Sequence, residues 1–269
     1  MRVVALAALA ALSVSPVFAQ SLVPPPPPPG FDVPDWALPQ SATHKQVPPP
    51  ADFHRASVIF SDKIGAFDAQ ADVGGPLVPG GATYDATNGT YTITSAGYNI
   101  WYQRDEFRFL WKKMSGDLSL AATVRWPRMD DFHDRKVVLI LRDSLDVDSR
   151  QIMAAQHGSG MVHIAWRPEK GAQMTDVEYR SQRQPVAAAG EKGPQVFQPT
   201  RIGLEKSGDQ FQLWISWQGE PMHAEGPPVA FHTDGPFYAG IGFTSHLPAN
   251  ALTAWVSDLV LENRAGAVR

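Results

Sequence analysis

The clearest alternation between apolar and polar residues, in the stretch 97–126 (GYNIWYQRDEFRFLWKKMSGDLSLAATVRW), constrains this chain more than any other feature. Leu118, Leu120, Ala122, Val124 and Trp126 fall on one side, and Asp117, Ser119, Thr123 and Arg125 on the other. A period of two belongs to a half-buried strand. Upstream, Phe107, Phe109 and Trp111 alternate with Glu106, Arg108 and Leu110, and Ser115-Gly116-Asp117 supplies turn chemistry between the two runs. The stretch predicts a hairpin in an antiparallel sheet with one face on a core.

The rest of the chain repeats the theme. Val58-Ile59-Phe60 suits a first strand, and residues 62–82, rich in Gly and Pro, read as loop. Asn88-Gly89 is a strong hairpin signal, and Thr90 to Thr94 alternates after it. Residues 136–141 form a continuous aliphatic run, as in a strand buried on both faces. Further strands are expected at 151–156, 161–167, 177–180, 200–205, 210–217, 238–244 and 253–261, with Gly208-Asp209 and Gly219-Glu220 as turns. No apolar period of 3.6 is sustained, and no internal repeat suggests a propeller. The pattern predicts an all-β, two-sheet antiparallel jelly-roll sandwich.

Residues 1–19 read as a secretory signal: Arg2, an apolar run from Val3 to Val14, and Val17-Phe18-Ala19 before the cut. That run is too short to span a bilayer. Residues 20–52 form a Pro-rich linker, with Pro24 to Pro29 an extended spacer or, alternatively, a ligand for a proline-reading domain. The sandwich is expected over 53–263, followed by a tail at 264–269. The chain has no cysteine, so a periplasmic or extracellular product would be held together by core burial alone. The net charge of −4 is dispersed, which excludes a basic footprint for nucleic acid.

The segments YDATNGTYTITSAGYNIW, RDEFRFLWKKMSGDLSLAATVRW, RKVVLILRDSLD, HGSGMVHIAWR and IGFTSH resemble, in that order, the concanavalin A/laminin-G-like β-sandwich module of exported bacterial proteins. That module is found alone, beside TolB-like propellers, or in secreted glycan-degrading enzymes. The resemblance covers roughly Phe60 to Leu261. It implies two curved antiparallel sheets with ligand sites on the concave face or at a loop edge; it implies no single activity. The chain departs from the family pattern at Lys136-Val137-Val138, at Ser159 and at Leu247.

Three groups of residues carry chemistry. Trp101 and Tyr102 precede Arg104, Asp105 and Glu106, an aromatic platform beside polar groups of the kind that binds sugars; the plainer reading is an Arg–carboxylate pair closing the sandwich end. His157, in His157-Gly158-Ser159-Gly160, and the pair Trp166 and Arg167 form the second group, with His246 a further strand-end candidate. The carboxylates Asp130, Asp131 and Asp134 beside His133, and Asp143, Asp146 and Asp148, match no calcium-loop or zinc spacing. A structural calcium is conceivable there, but no cofactor is expected. The paired-carboxylate strand of jelly-roll glucanases, the Gly-x-Ser-x-Gly elbow and the glycine-rich phosphate loop are missing from the sequence.

The sequence therefore predicts an exported, non-catalytic sandwich that binds a carbohydrate or another envelope component. Its alternatives are a polysaccharide lyase or glycoside hydrolase centred on Glu106, His157 and Arg167, and a protein-docking domain. Glu106, His157 and Arg167 are expected to converge within reach of one ligand.

Overall fold

The computed structural model describes residues 55–129, 131–180, 199–217 and 219–269. The expected signal and the whole of the expected linker lie outside the described residues. In chain order the strands are β1 (Val58–Phe60), β2 (Ala69–Val73), β3 (Gly81–Asp85), β4 (Thr90–Ser95), β5 (Ile100–Trp101), β6 (Arg104–Asp105), β7 (Phe107–Met114), β8 (Leu118–Arg125) and β9 (Lys136–Arg142). They continue as β10 (Gln151–His157), β11 (Val162–Arg167), β12 (Thr175–Tyr179), β13 (Pro199–Ser207), β14 (Gln210–Trp217), β15 (His223–Ala230), β16 (Phe237–Thr244) and β17 (Leu252–Glu262). No helix occurs among the described residues.

Two antiparallel sheets make a sandwich. The first has eight strands in the order β1-β2-β7-β16-β9-β10-β11-β12, the second seven in the order β15-β14-β13-β8-β17-β4-β3. Leu110, Leu139, Leu141, Ile152, Ile164, Ile241 and Phe243 of the first sheet meet Ile93, Leu120, Val124, Ile202, Leu204, Leu213 and Ala254 of the second in one buried core. Those residues occupy alternate positions of their strands, so the sequence period of two decides which side chains enter it.

The expected hairpin over 107–125 is corrected by this topology. β7 lies in the eight-stranded sheet and β8 in the seven-stranded one, so Ser115-Gly116-Asp117 carries the chain from one layer to the other. Gly116 has φ +78°, a left-handed conformation that glycine adopts without a Cβ penalty. The physical reason is that Leu110 and Met114 of β7 and Leu118 and Leu120 of β8 enter the same core from opposite sides. A hairpin would have put them side by side on one surface. The Asn88-Gly89 hairpin, by contrast, pairs Asp85 with Thr90 as expected.

Four strands are absent from the sequence expectation: β2, the short pair β5 and β6, and β15. β2, inside the stretch read as loop, alternates Ala69, Ala71 and Val73 with Gln70 and Asp72, and its two alanines make a weak apolar signal. β15 contains Pro227 and Pro228 but lies at a sheet edge, where proline's missing donor is tolerated. The C-terminal residues pack onto the outer side of the seven-stranded sheet. Val268 is 1% exposed among Ala121, Trp214 and Met222, and the Ser119 hydroxyl donates to the Arg264 carbonyl at 2.8 Å. Ser119 and Ala121 are consequently buried although they lie on the polar phase of β8.

Candidate functional site

The strands β9, β10 and β11 set polar side chains on the outer face of the eight-stranded sheet. Lys136, Val138, Ile140 and Arg142 share that face on β9; Gln151, Met153, Ala155 and His157 on β10; His163, Ala165 and Arg167 on β11. Register places Arg142 opposite Gln151 and Gln151 opposite Arg167, while Lys136 lies opposite His157. The polar groups therefore gather at two ends of an apolar strip. The short β5–β6 hairpin lies over the strip, with Ile100 buried and Trp101 packed against it.

At one end Asp105 is 1% exposed. Arg167 grips its carboxylate with two nitrogens at 2.9 and 2.8 Å, Arg142 donates at 2.7 Å, and the Gln151 amide donates at 3.2 Å. Gln151 also accepts from Arg142. The remaining guanidinium donors reach main-chain oxygens: Ser144 and Asp146 for Arg142, Ser149, Ala172, Trp101 and Tyr102 for Arg167. Burial pushes the Asp105 carboxyl up, but the charges of Arg167 and Arg142 outweigh it and hold the group below its ordinary range. Burial likewise lowers Arg142, against the pull of Asp105. The cluster is saturated with internal partners.

At the other end, the Nε2 atoms of His157 and His163 stand 3.3 Å apart, and His163 Nδ1 lies 3.2 Å from a carboxylate oxygen of Asp176. The His246 ring meets His157 edge-on at 5.9 Å. Lys136 donates to the Ile100 carbonyl at 3.0 Å and lies 5.0 Å from the centre of the Trp101 ring, which in turn lies 5.4 Å from His163. Burial pushes Lys136 down to about 7 and His163 to about 4. His157 and His246 are driven well below the ordinary histidine value, first by burial and then by neighbouring positive charge. Among the described residues no group of three or more His, Cys, Asp or Glu side chains is placed to hold a metal ion. Asp143 pairs with Arg150, and Asp146 and Asp148 pair with Lys170; Asp130 lies outside the described residues.

The nine residues singled out in the sequence are thus distributed unequally. Trp101, Tyr102, Asp105 and Arg167 are brought together, and His157 joins His246. The expected convergence of Glu106, His157 and Arg167 does not occur. Arg167 lies opposite Gln151, six residues along β10 from His157, a separation of about 20 Å. Glu106 follows Asp105 and turns the other way, accepting from the Tyr98 amide at 3.3 Å; burial pushes its carboxyl up to about 7. Trp166 alternates with Arg167 and packs on the inter-sheet core instead. Arg104 is exposed. Asp105 is paired with Arg142 and Arg167 of other strands, on the outer face of the sheet, and not with its neighbour Arg104.

The other outer face, that of the seven-stranded sheet, carries a different pattern. Trp255 is 42% exposed, an unusual state for the largest apolar side chain. It points outward with Thr253, while Ala254 and Val256 point into the core. Its direct cross-strand neighbours are Thr92 on β4 and Arg125 on β8, and Thr92 in turn faces Thr83 on β3. Such opposed pairs hold their Cβ atoms about 5 Å apart, so Arg125, Trp255, Thr92 and Thr83 form one row across four strands. A second row sets Thr253 beside Thr94, their hydroxyls 3.2 Å apart. The sequence did carry a signal for this face: in Thr253-Ala254-Trp255-Val256 the tryptophan falls on the polar phase.

No protein-family model matches the chain, and no curated protein matches it. Among solved structures it is similar to a functionally unknown protein from Saccharomyces cerevisiae, at 10% identity over 69% of this chain and 93% of that one, with a TM-score of 0.49. It is also similar to the alginate lyase from Klebsiella pneumoniae (12% identity, 70% and 85% covered, TM-score 0.40) and to basic winged bean lectin with Tn-antigen (8%, 76% and 98%, TM-score 0.38). Identities and scores this low leave the chemistry to the residues of this chain.

Proposed function

We propose that this chain is an exported, non-catalytic β-sandwich that binds a carbohydrate through the outer face of its seven-stranded sheet. The exposed indole of Trp255 amid Thr83, Thr92, Thr94, Thr253 and Arg125 is the observation that carries the reading. A flat aromatic ring covers the C–H face of a sugar, while hydroxyls and a guanidinium meet its oxygens. The rival reading, a lyase or hydrolase, would need acid–base groups open to substrate. Of the centre expected for it, His157 and Arg167 are buried, at 4% exposure or less, and Glu106, half-buried, lies apart from both.

Two experiments test the proposal. Mature protein and its Trp255→Ala variant are applied to a glycan array, and the glycans bound are assayed for cleavage. Binding lost in the variant, with no cleavage by either protein, is expected; binding retained in the variant, or cleavage, would overturn it. Export is supported by residues 1–19, and N-terminal sequencing of protein from its native cell should find Gln20 first. An intact Met1 on a cytosolic product would defeat that part.

A further inference from the structure

We infer that the sugar polymer taken by the Trp255 face is anionic, with its carboxylates drawn to Arg125. The inference rests on the reading of that face as a glycan platform and adds the class of glycan. Its basis is the charge set around the indole. Arg125, the direct cross-strand partner of Trp255, is exposed, and no carboxylate lies within ion-pair range of it among the described residues. One strand further, on β13, Arg201 lies opposite Thr123 and adds a second positive charge, its guanidinium donating to the Asp258 carbonyl at 2.7 Å. β4 contributes only the hydroxyls of Thr90, Thr92 and Thr94 to this face.

Four carboxylates face the same way, and all have local partners: farther from the indole, Glu205 and Glu262 both lie opposite Ser119, the first accepting from the Gly266 amide at 2.8 Å and the second from Arg264 at 2.6 Å. Asp258 sits in the bulge of β17, its carboxylate accepting from the Ser257 hydroxyl at 3.0 Å; hydrogen bonds from Thr123 and Ser257, then the charges of Arg201 and Arg125, hold it below the usual range. Asp85 lies at the far end of β3 opposite Thr90, and one of its oxygens accepts from the Thr87 amide at 2.9 Å. A guanidinium beside an aromatic platform, near Asp258 but closed into no ion pair, is matched by a carboxylate on the bound sugar, to which it can donate two parallel hydrogen bonds. A neutral sugar would leave that charge to solvent.

The test compares polygalacturonate, alginate and hyaluronan with the same polymers after their carboxylates have been reduced to alcohols. Affinity electrophoresis and calorimetry are run at low and high salt on the mature chain, Trp255→Ala, Arg125→Gln and the surface control Lys63→Gln. At least one acidic polymer should bind, weakening about tenfold on carboxyl reduction, on Arg125→Gln, or in high salt. Arg125→Gln should weaken binding of the reduced polymer far less than binding of the acidic one, and Lys63→Gln should change nothing. Equal binding of acidic and reduced polymers, with Arg125→Gln silent, overturns the anionic assignment and leaves the glycan reading standing. Failure of all three acidic polymers while a neutral glycan binds also overturns it. If Trp255→Ala binds every polymer as well as the parent does, the platform itself is lost. Near-UV circular dichroism of each variant separates these outcomes from misfolding.

Discussion

Arg167 holds Asp105 in a two-pronged grip, 2.9 and 2.8 Å, with both side chains sealed from solvent. Removing one partner of such a pair leaves the other charge buried without its counterpart, at a cost of about 3–5 kcal/mol. Arg167→Ala should therefore lower the urea midpoint severely. Trp255→Ala, on an exposed position, should cost less than about 1 kcal/mol. Denaturant melts of the two variants check the contrast. A mild Arg167→Ala would mean that water reaches Asp105 and that the β5–β6 hairpin is loosely seated.

The C-terminal residues make a second, separable prediction. A methyl added at Gly203 would stand 2.5 Å from Val268 Cγ1, 3.2 Å from Trp214 Cβ and 3.3 Å from Met222 Cε. Gly203→Ala should cost about 1–3 kcal/mol as an overpacked contact. Val268→Ala opens space at the same point, so the double variant should be more stable than the two single losses predict when added, by at least about 0.5 kcal/mol. Strict additivity would show that Val268 does not sit over Gly203 in solution.

The layer architecture was legible from the sequence because alternation is a local property: β4, β8, β9, β14 and β16 all announce themselves in their own residues. Pairing is not local. Nothing between Met114 and Leu118 distinguishes a hairpin from a crossing between layers; only the common core of Leu110, Met114, Leu118 and Leu120 decides it. The site was legible in part for the same reason. Asp105 and Arg167 stood out as charged residues beside aromatics, but whether such charges face a ligand or each other depends on Arg142 and Gln151, which come from other strands. Trp255 was readable from its phase, yet its significance depends on Thr92 and Arg125, more than 100 residues away in the chain.

Leu120 and Thr123 test the orientation of β8. Leu120 is fully buried opposite Leu204 and Leu261, while Thr123 is half-buried on the outer face opposite Arg201 and Ser257. Leu120→Ala should cost about 2–5 kcal/mol and Thr123→Ala under about 1 kcal/mol. Equal losses would indicate a one-residue slip of the strand, which exchanges its faces.

The buried titratable groups predict how stability follows pH. His157, His163 and His246 titrate below the ordinary 6.5 in the fold, His163 at about 4, so below 6.5 the unfolded chain binds more protons than the native one. Their contribution is complete above 6.5 and is lost as pH falls toward 4. Glu106, raised from 4.5 to about 7, works the other way between those values, because there the native state holds the extra proton; three imidazoles outweigh one carboxyl. Lys136 has an ordinary value of 10.5 and about 7 in the fold, so from pH 7 upward the unfolded chain again binds the extra proton and stability rises. The urea midpoint should climb from pH 4.5 to 6.5 and climb again from 7 to 9. Lys136→Met should flatten the second rise and keep most of the first, since burial is the larger cause of the histidine shifts. A wild-type midpoint that is level or falling between pH 7 and 9 would mean that Lys136 stays charged beneath Trp101, and the dry character assigned to that end of the strip would be wrong.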